Sequence, residues 1–523
     1  MKGAKLQIFD STLRDGAQGE GVSFSVADKL KILGKLDDFG IDYVEAGNPG
    51  SNPKDLEFFK KASGMELKSV KLVAFGSTKR KNLLPGDDDN LKALIEANTD
   101  CIAIFGKSHD FHVDCILRVT LEENLAMIGE TVEYLTGKGK TVFFDAEHFF
   151  DGYKSNQVYA MQTVITAAEK GAKVVVLCDT NGGCFPDEIA QITEKVRKHI
   201  KVDIGIHCHN DTGCAVANSI AAVKSGAVQV QGTFVGIGER CGNANLSVLI
   251  PNLQLKLGYS CVPEESAGEL TETANFIAEV ANIRLPRNLP YVGGAAFAHK
   301  GGMHADGVAK NPATFEHIAP ETVGNERNFL LSEVSGRSAL ISKIKKIDPN
   351  LDKTDPIVRK LTDRIKELEH KGYQFEAADA SFELLVLREL GWFAPYFEVV
   401  DFKIVSSLST KASAMIKIRV DEKYEISADE GDGPVNAIDK ALRKALEVFY
   451  PALGKVRLTD YKVRIINSGD NTAAVTRVLI ESADGAASWT TVGASENIIN
   501  ASMTALLDSL EYSLYMNGER NYN

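Results

Sequence analysis

The chain has 523 residues, 44% of them hydrophobic and 25% charged, more than one hydrophobic core usually supports, so two or three soluble domains are expected. Its 59 basic and 71 acidic side chains leave a net charge of −12, a poor match for nucleic acid. Eight cysteines without a paired framework point to reduced thiols in a cytoplasmic protein, and no apolar run approaches the roughly 20 residues that cross a bilayer, so neither export nor membrane insertion is expected.

From residue 5 to 258 short β-rich runs alternate with helical segments. The runs are KLQIFD, DYVEAG, VKLVAFG, CIAIFG, TVFFDAE, KVVVLCD, VDIGIHCH and VQVQGTFVG, eight strands in all. Between the first two, Val26, Leu30, Leu33 and Leu36 recur at helical spacing, and Gly40, Gly171 and Gly226 stand where helices end. Eight such units predict an α/β fold, a (β/α)8 TIM barrel over 1–262, rather than a doubly wound sheet. GIGERCG, residues 236–242, follows the last strand and has the wrong glycine spacing for a dinucleotide fingerprint.

Helical connector subdomains are expected over 263–375, with a glycine-rich loop at 293–307 and a helix in DPNLDKTDPIVRKLTDRIKELEHKGYQFE. A C-terminal α+β domain over 376–523 follows, with FELLVLREL, FEVVDFKIVSS and AMIKIRV as strand candidates. GPVNAIDKALRKAL resembles ASENIINASMTALL at a shift of 61 residues, which aligns Asn436 with Asn497 and Ile438 with Ile499. This reads as a duplicated strand-strand-helix unit.

A barrel gathers its chemistry at the C-terminal ends of its strands. Those ends carry Arg14 and Asp15; Asp145, Glu147 and His148; Asp179 and Thr180; His207 and His209; and Glu239, Arg240 and Asn243. Along GIHCHND, side chains alternate, so His207 and His209 face one way with Cα atoms about 6.6 Å apart, while Cys208 faces the other with Ile204 and Ile206. The two histidines alone are as compatible with a structural pair as with a metal site. A carboxylate from another strand end raises the metal reading, and Asp15 is the choice; Asp10, inside the first strand, reads as structural. Arg14 offers a fixed planar charge to a developing oxyanion, or an ion pair to Asp15 or Glu239.

Taken in order, DSTLRDGAQ, HCHND, GERCGN and GGMHADG resemble the pyruvate carboxyltransferase-like superfamily, which includes 2-isopropylmalate, homocitrate and citramalate synthases and the hydroxymethylglutaryl-CoA lyases. LRDGAQGEGVSFS, PGSNPKD, DAEHFFDGYK, HKGGMHADGVAKNP and DYKVRIINSGDNTAA look more narrowly like its (R)-citramalate synthase branch. The resemblance implies an acyltransferase that joins acetyl-CoA to pyruvate for isoleucine synthesis. Asp15, His207 and His209 would hold a divalent ion (Mg²⁺, Mn²⁺ or Zn²⁺), with Asn243 beside it. Arg14 would stabilise the alkoxide, Thr180 would hold the oxo-acid carboxylate, and Glu147 would orient acetyl-CoA or assist deprotonation. His304, from the second domain, would take a proton from the thioester methyl group across a homodimer interface. The C-terminal domain would regulate, with isoleucine as effector between the repeat halves.

Two positions depart from the pattern: Phe315 stands where relatives carry a tyrosine, and Asn48 where a bulkier residue is common. The competing readings are a 2-isopropylmalate synthase acting on 2-oxoisovalerate, an acyl-CoA lyase running the reverse cleavage, and a non-catalytic binding protein. The C-terminal domain argues against the lyase, whose relatives consist of the barrel without it.

Overall fold

The computed structural model describes residues 3–300, 302–329, 343–345, 347–348, 351, 355–406, 410–466, 474–485 and 487–518. The chain forms two compact units, residues 1–297 with 318–327 and residues 298–317 with 328–523. Among the described residues no helix is long and apolar enough to cross a membrane.

In the first unit the eight strands close into a parallel barrel in sequence order. They are β1 (Gln7–Asp10), β2 (Tyr43–Glu45), β3 (Lys71–Ser77), β4 (Cys101–Lys107), β5 (Thr141–Glu147), β6 (Val174–Asp179), β7 (Asp203–Cys208) and β8 (Gln229–Gly232). β1 pairs with both β2 and β8, which completes the ring. VVVLCD is buried at every position, because one face of each strand looks into the barrel and the other lies under helices. The eighth strand stops short of the expected VQVQGTFVG. Val235 takes a left-handed backbone, φ 53°, inside a short 3-10 turn over Phe234–Gly236. The first helix, Val26–Phe39, starts at a Ser25/Asp28 capping box and ends at Gly40, φ 87°. It buries Ile32, Leu33, Leu36 and Phe39 against the strands.

Two apolar layers result. The outer one joins strands to helices; the inner one fills the barrel with Phe9, Val73, Phe143, Val174 and Val176. Phe143 packs edge-on against Phe9 and Tyr43, with ring centroids 5.8 and 5.0 Å away. The barrel is therefore plugged, and its open space lies at the strand ends.

In the second unit β9 (Ala298–His299) pairs with β10 (Asn328–Phe329). The glycine-rich segment read as a loop becomes a helix, Gly302–Lys310, from its second half onward. Gly302 stands at the first helical position, and the residues beyond it, with Met303, Ala305 and Ala309 among them, favour helix. The connector helix runs over Pro356–His370. FELLVLREL is not a strand but part of the helix Asp379–Glu389. It is wedged between two cores, with Leu384 and Leu387 in one and Phe382 and Val386 in the other, and a helix buried on several sides reads as a continuous apolar run.

The C-terminal part holds two units of three strands and a helix, one strand more per unit than the sequence suggested. The first has β11 (Glu398–Val405), β12 (Ala412–Val420), β13 (Lys423–Gly431) and the helix Pro434–Leu446. The second has β14 (Arg457–Ile465), β15 (Thr476–Ala483), β16 (Ser488–Ser495) and the helix Ile498–Met516. Both first strands carry an irregularity after their second residue, between Val399 and Asp401 and between Leu458 and Asp460. The duplication holds, but the helices align at a shift of 64 rather than 61. Gly433 and Asn497 are the two N-caps, and the buried Ala437, Ala441, Leu442 and Leu446 match Ala501, Ala505, Leu506 and Leu510. Asn436 and Asn497 are thus not equivalent.

Candidate active site

At the C-terminal face of the barrel a pocket of about 220 Å³ is lined by Arg14, Asp15, Glu147, Thr180, His207 and His209, together with Gln18, Phe75, Phe105, Asp145, Cys178 and Glu239. All but Gln18 and Glu239 lie on strands or within a few residues of a strand end. Strand parity puts His207 and His209 on one side of β7 with their Nε2 atoms 3.4 Å apart. Cys208 turns away into the outer apolar layer with Ile204 and Ile206. The loop after β1 brings Asp15 Oδ2 to 3.5 Å from His207 Nε2 and 3.8 Å from His209 Nε2.

These three buried residues could hold a metal ion: their Nε2, Nε2 and Oδ2 atoms lie 3.4, 3.5 and 3.8 Å apart, separations that one divalent cation at about 2.0–2.2 Å from each would bridge. Two further observations fit a cation. The Gln231 Oε1 lies 3.0 Å from His207 Nδ1 and accepts its proton, which leaves Nε2 with its lone pair toward the site. Asn243 donates Nδ2 to Asp15 Oδ1 at 3.1 Å, while its own buried Oδ1 has no hydrogen-bond partner. A backbone bridge between His209 and Asn243 holds that asparagine beside the ligands.

The charges are arranged to keep this donor set ready. Burial disfavours ionisation of Asp15, but Arg14 and the two imidazoles outweigh it and hold the carboxyl well below the usual carboxylate range. Burial, with His209 alongside, pushes His207 down to about 4, and burial lowers His209 too, so both rings are neutral at pH 7. Arg14 is fixed from three sides: Nε donates to Glu45 Oε2 at 2.5 Å, Nη1 donates to Asp15 Oδ2 at 3.1 Å, and the guanidinium sits 3.9 Å over the Phe75 ring. Its ion pairs are with Asp15 and Glu45; Glu239 instead lies near Arg240.

Thr180 accepts the His148 backbone N–H at its Oγ1, 2.8 Å, so its own hydroxyl proton is free for a pocket ligand. Glu147 Oε2 is ion-paired with Lys107 Nζ at 2.5 Å. Asp145 lines the pocket with its carboxyl raised well above its ordinary value by burial and the nearby Glu45, against the pull of Arg14. The remaining strand-end residues brace the rim. Asp179 accepts the backbone N–H groups of Gly183 and Cys184, and Arg240 grips Asp211 and the Thr180 carbonyl. Asp10 is sealed beneath the loop by Thr12, as expected of a structural carboxylate, and burial raises it to about 7.

His304 belongs to the second unit. It is exposed on the helix Gly302–Lys310 and stacks on Phe315, with centroids 4.1 Å apart and 23° between planes. Gly307 makes room for that ring, since a Cβ there would lie 2.7 Å from Phe315 Cε2. Asn48 now has an account as well: its Oδ1 accepts the backbone N–H groups of Gly50 and Ser51 and so shapes the turn into the helix Pro53–Ala62. Glu45 and Gln231, which hold Arg14 and His207, were missed at the sequence level. Their only signal is their place in β2 and β8.

A closed barrel with an Asp-His-His set that could hold a metal ion and a clamped arginine at its C-terminal face defines a barrel enzyme. Residues 5–277 match the HMGL-like family model, residues 291–373 the homocitrate synthase post-HMGL domain-like model, and residues 376–514 the LeuA allosteric (dimerisation) domain model. The (R)-citramalate synthase of Aquifex aeolicus is 54% identical over 98% of this chain and 99% of its own length. That of Geobacter sulfurreducens is 50% identical over 98% of both chains. A probable 2-isopropylmalate synthase of Methanopyrus kandleri is 34% identical over 96% of this chain and 97% of its own. The chain belongs to the (R)-citramalate synthase family.

Proposed function

We propose that this chain joins the methyl carbon of acetyl-CoA to the keto carbon of pyruvate and then hydrolyses the thioester, releasing (R)-citramalate and CoA. The observation that carries this reading is one small pocket in which a cation-type donor set, a fixed guanidinium and a free hydroxyl converge. A cation held by Asp15, His207 and His209, with Asn243 beside it, would act as a Lewis acid toward the 2-oxo acid. Thr180 has a hydroxyl proton to donate to the substrate carboxylate. Arg14, with Nε and Nη1 committed to carboxylates, presents the rest of its guanidinium to the oxygen that becomes negative as the carbon–carbon bond forms. Glu147, held by Lys107, orients the thioester. His304, exposed and stacked, takes the methyl proton in a second copy's barrel; Phe315 sets the ring by stacking, where a tyrosine would add a hydrogen bond.

The stacked Phe75 and Phe105 rings, 5.4 Å apart, narrow the pocket and favour pyruvate over a branched 2-oxo acid. Thiol release across a panel of 2-oxo acids, with and without chelator, tests class and substrate together. Pyruvate is expected to give the highest kcat/KM; a higher value with 2-oxoisovalerate overturns the assignment.

The third domain supports a homodimer and, in our reading, feedback by isoleucine bound between the repeat halves. The two repeat sheets differ on their outer faces. The second is covered, with Leu479 and Val492 packed against Phe375 and Phe382. The first leaves Val405, Met415, Tyr424 and Ile426 exposed, and a second copy of this domain is the occupant we assign to it. Isothermal titration with isoleucine at millimolar concentration tests the effector.

A further inference from the structure

We propose that a buried hydrogen bond between His299 and Glu316 positions His304; this rests on the reading of His304 as the base. All three residues lie in the second unit. The carboxylate only accepts, so the His299 Nε2 carries the proton and donates it to Glu316 Oε1 at 3.0 Å. The two side chains are 10% and 2% exposed. Sheltered from water, such a bond fixes one geometry and meets no competing solvent partner. The pair stands at the two ends of the segment that carries His304. The helix Gly302–Lys310 begins three residues after His299, and the Phe315 ring stacked on His304 belongs to the residue before Glu316.

Each end of the pair is itself held. His299 sits on β9 opposite Phe329 of β10, with ring centroids 6.1 Å apart. On the other side the chain leaves the helix through a 3-10 turn, Pro312–Thr314, and the Phe315 and Glu316 N–H groups both donate to the Pro312 carbonyl, at 3.2 and 3.0 Å. The contacts therefore form a closed circuit. It runs from the strand to His299, from His299 to Glu316, along the chain to Phe315, and by stacking to His304, with 4.1 Å between centroids.

The helix needs this circuit. It has 9 residues, below the roughly 12–15 at which a helix holds together alone in water, and of its described side chains only Ala305 and Val308 are buried. His304 is itself exposed, and the stacked Phe315 is the ring contact that orients it. A reacting group displaced by about 1 Å can cost about a hundred-fold in rate. Glu316 is thus a positioning residue: it acts on the proton transfer through Phe315 and His304 and not by touching the substrate.

The experiment uses the full-length chain carrying Glu316→Leu, which leaves the buried His299 N–H without its acceptor, or Glu316→Gln, which keeps an acceptor oxygen. In histidine-labelled protein the His304 ring-proton resonance, identified by its loss in His304→Ala, is expected upfield of free histidine through the Phe315 ring current. It should move to the free position in Glu316→Leu and stay upfield in Glu316→Gln. In turnover, Glu316→Leu should lower kcat about ten-fold or more with the KM for pyruvate and for acetyl-CoA unchanged, and Glu316→Gln should recover most of that loss. In a His304→Ala chain, Glu316→Leu should cost nothing further. Glu316→Asp, which withdraws the acceptor by one methylene, makes the same comparison if the leucine variant fails to fold. A His304 resonance unmoved by loss of the acceptor overturns the positioning role, as does a kcat loss that glutamine does not recover or that adds in full to that of His304→Ala. Full turnover in His304→Ala, or no thiol release from the unaltered chain with any oxo acid, overturns the reading of the base instead, and the resonance then still decides whether the pair sets His304.

Discussion

Gln231 touches no pocket ligand in the reading above, yet it fixes which nitrogen of His207 faces the site. Removing that acceptor in Gln231→Leu is expected to weaken divalent-ion affinity by about 10–100-fold, read by ion titration of the chelator-treated protein, with less effect on the KM for acetyl-CoA. Asp15→Asn removes the one charged ligand and leaves Arg14 half unpaired, so metal content and thiol release should both fall by at least about two orders of magnitude. In the metal-free protein, His207 is depressed to about 4 against about 6.5 unfolded, so the unfolded chain takes up the proton first. Stability is therefore complete above about pH 6.5 and declines as pH falls toward 4, by up to about 3 kcal/mol from this group. Denaturant midpoints over that range should show the slope, and His207→Gln should flatten it. That His207 and His209 share one side of β7 while Cys208 faces the other was legible in the sequence, because strand parity sorts them without any tertiary knowledge. Glu45 and Gln231 were not, since their roles arise only when β2 and β8 become neighbours of β1 and β7.

At the scale of elements, the loop after β8 is shaped around Asn243. Gly238 has φ 157°, and a Cβ there would fall 2.1 Å from Asn243 Nδ2. Gly238→Ala should displace that side chain and release its hold on Asp15, lowering turnover at least ten-fold while circular dichroism still reports the folded barrel; unchanged turnover would mean the contact is dispensable. The barrel strands were readable because each is a short apolar run between helical segments of clear 3.6-residue period. FELLVLREL was misread for the complementary reason: a helix gripped on two sides loses its polar face, and with it the only signal that separates it from a buried strand. The repeat was visible but slipped by three residues, because matching Asn436 to Asn497 compared a residue inside one helix with the cap of another.

For the whole molecule, the bare outer face of the first repeat sheet sets the expectation for assembly. Ile426→Asp or Met415→Asp should shift sedimentation of the chain toward monomer, and, because His304 is assigned to a second copy's barrel, thiol release should fall with it. A mixture of the His304→Ala and Asp15→Asn chains should regain part of the lost activity if the base acts between copies, and regain none if it acts within one.

The barrel's first and eighth strands are the two ends of one continuous ring, and they meet beside β7. Asp15 comes from one side of that closing seam, and His207 and His209 from the other. A cation held by all three would be a clasp over the joint as well as the Lewis acid we propose. Opening the seam and losing the ion become a single event, so a bound ion at 100 times its dissociation constant would resist opening by about 2.7 kcal/mol. Chelation is expected to lower the melting temperature of the barrel unit by several degrees, and to expose the N-terminal segment to proteolysis before any other part of the ring.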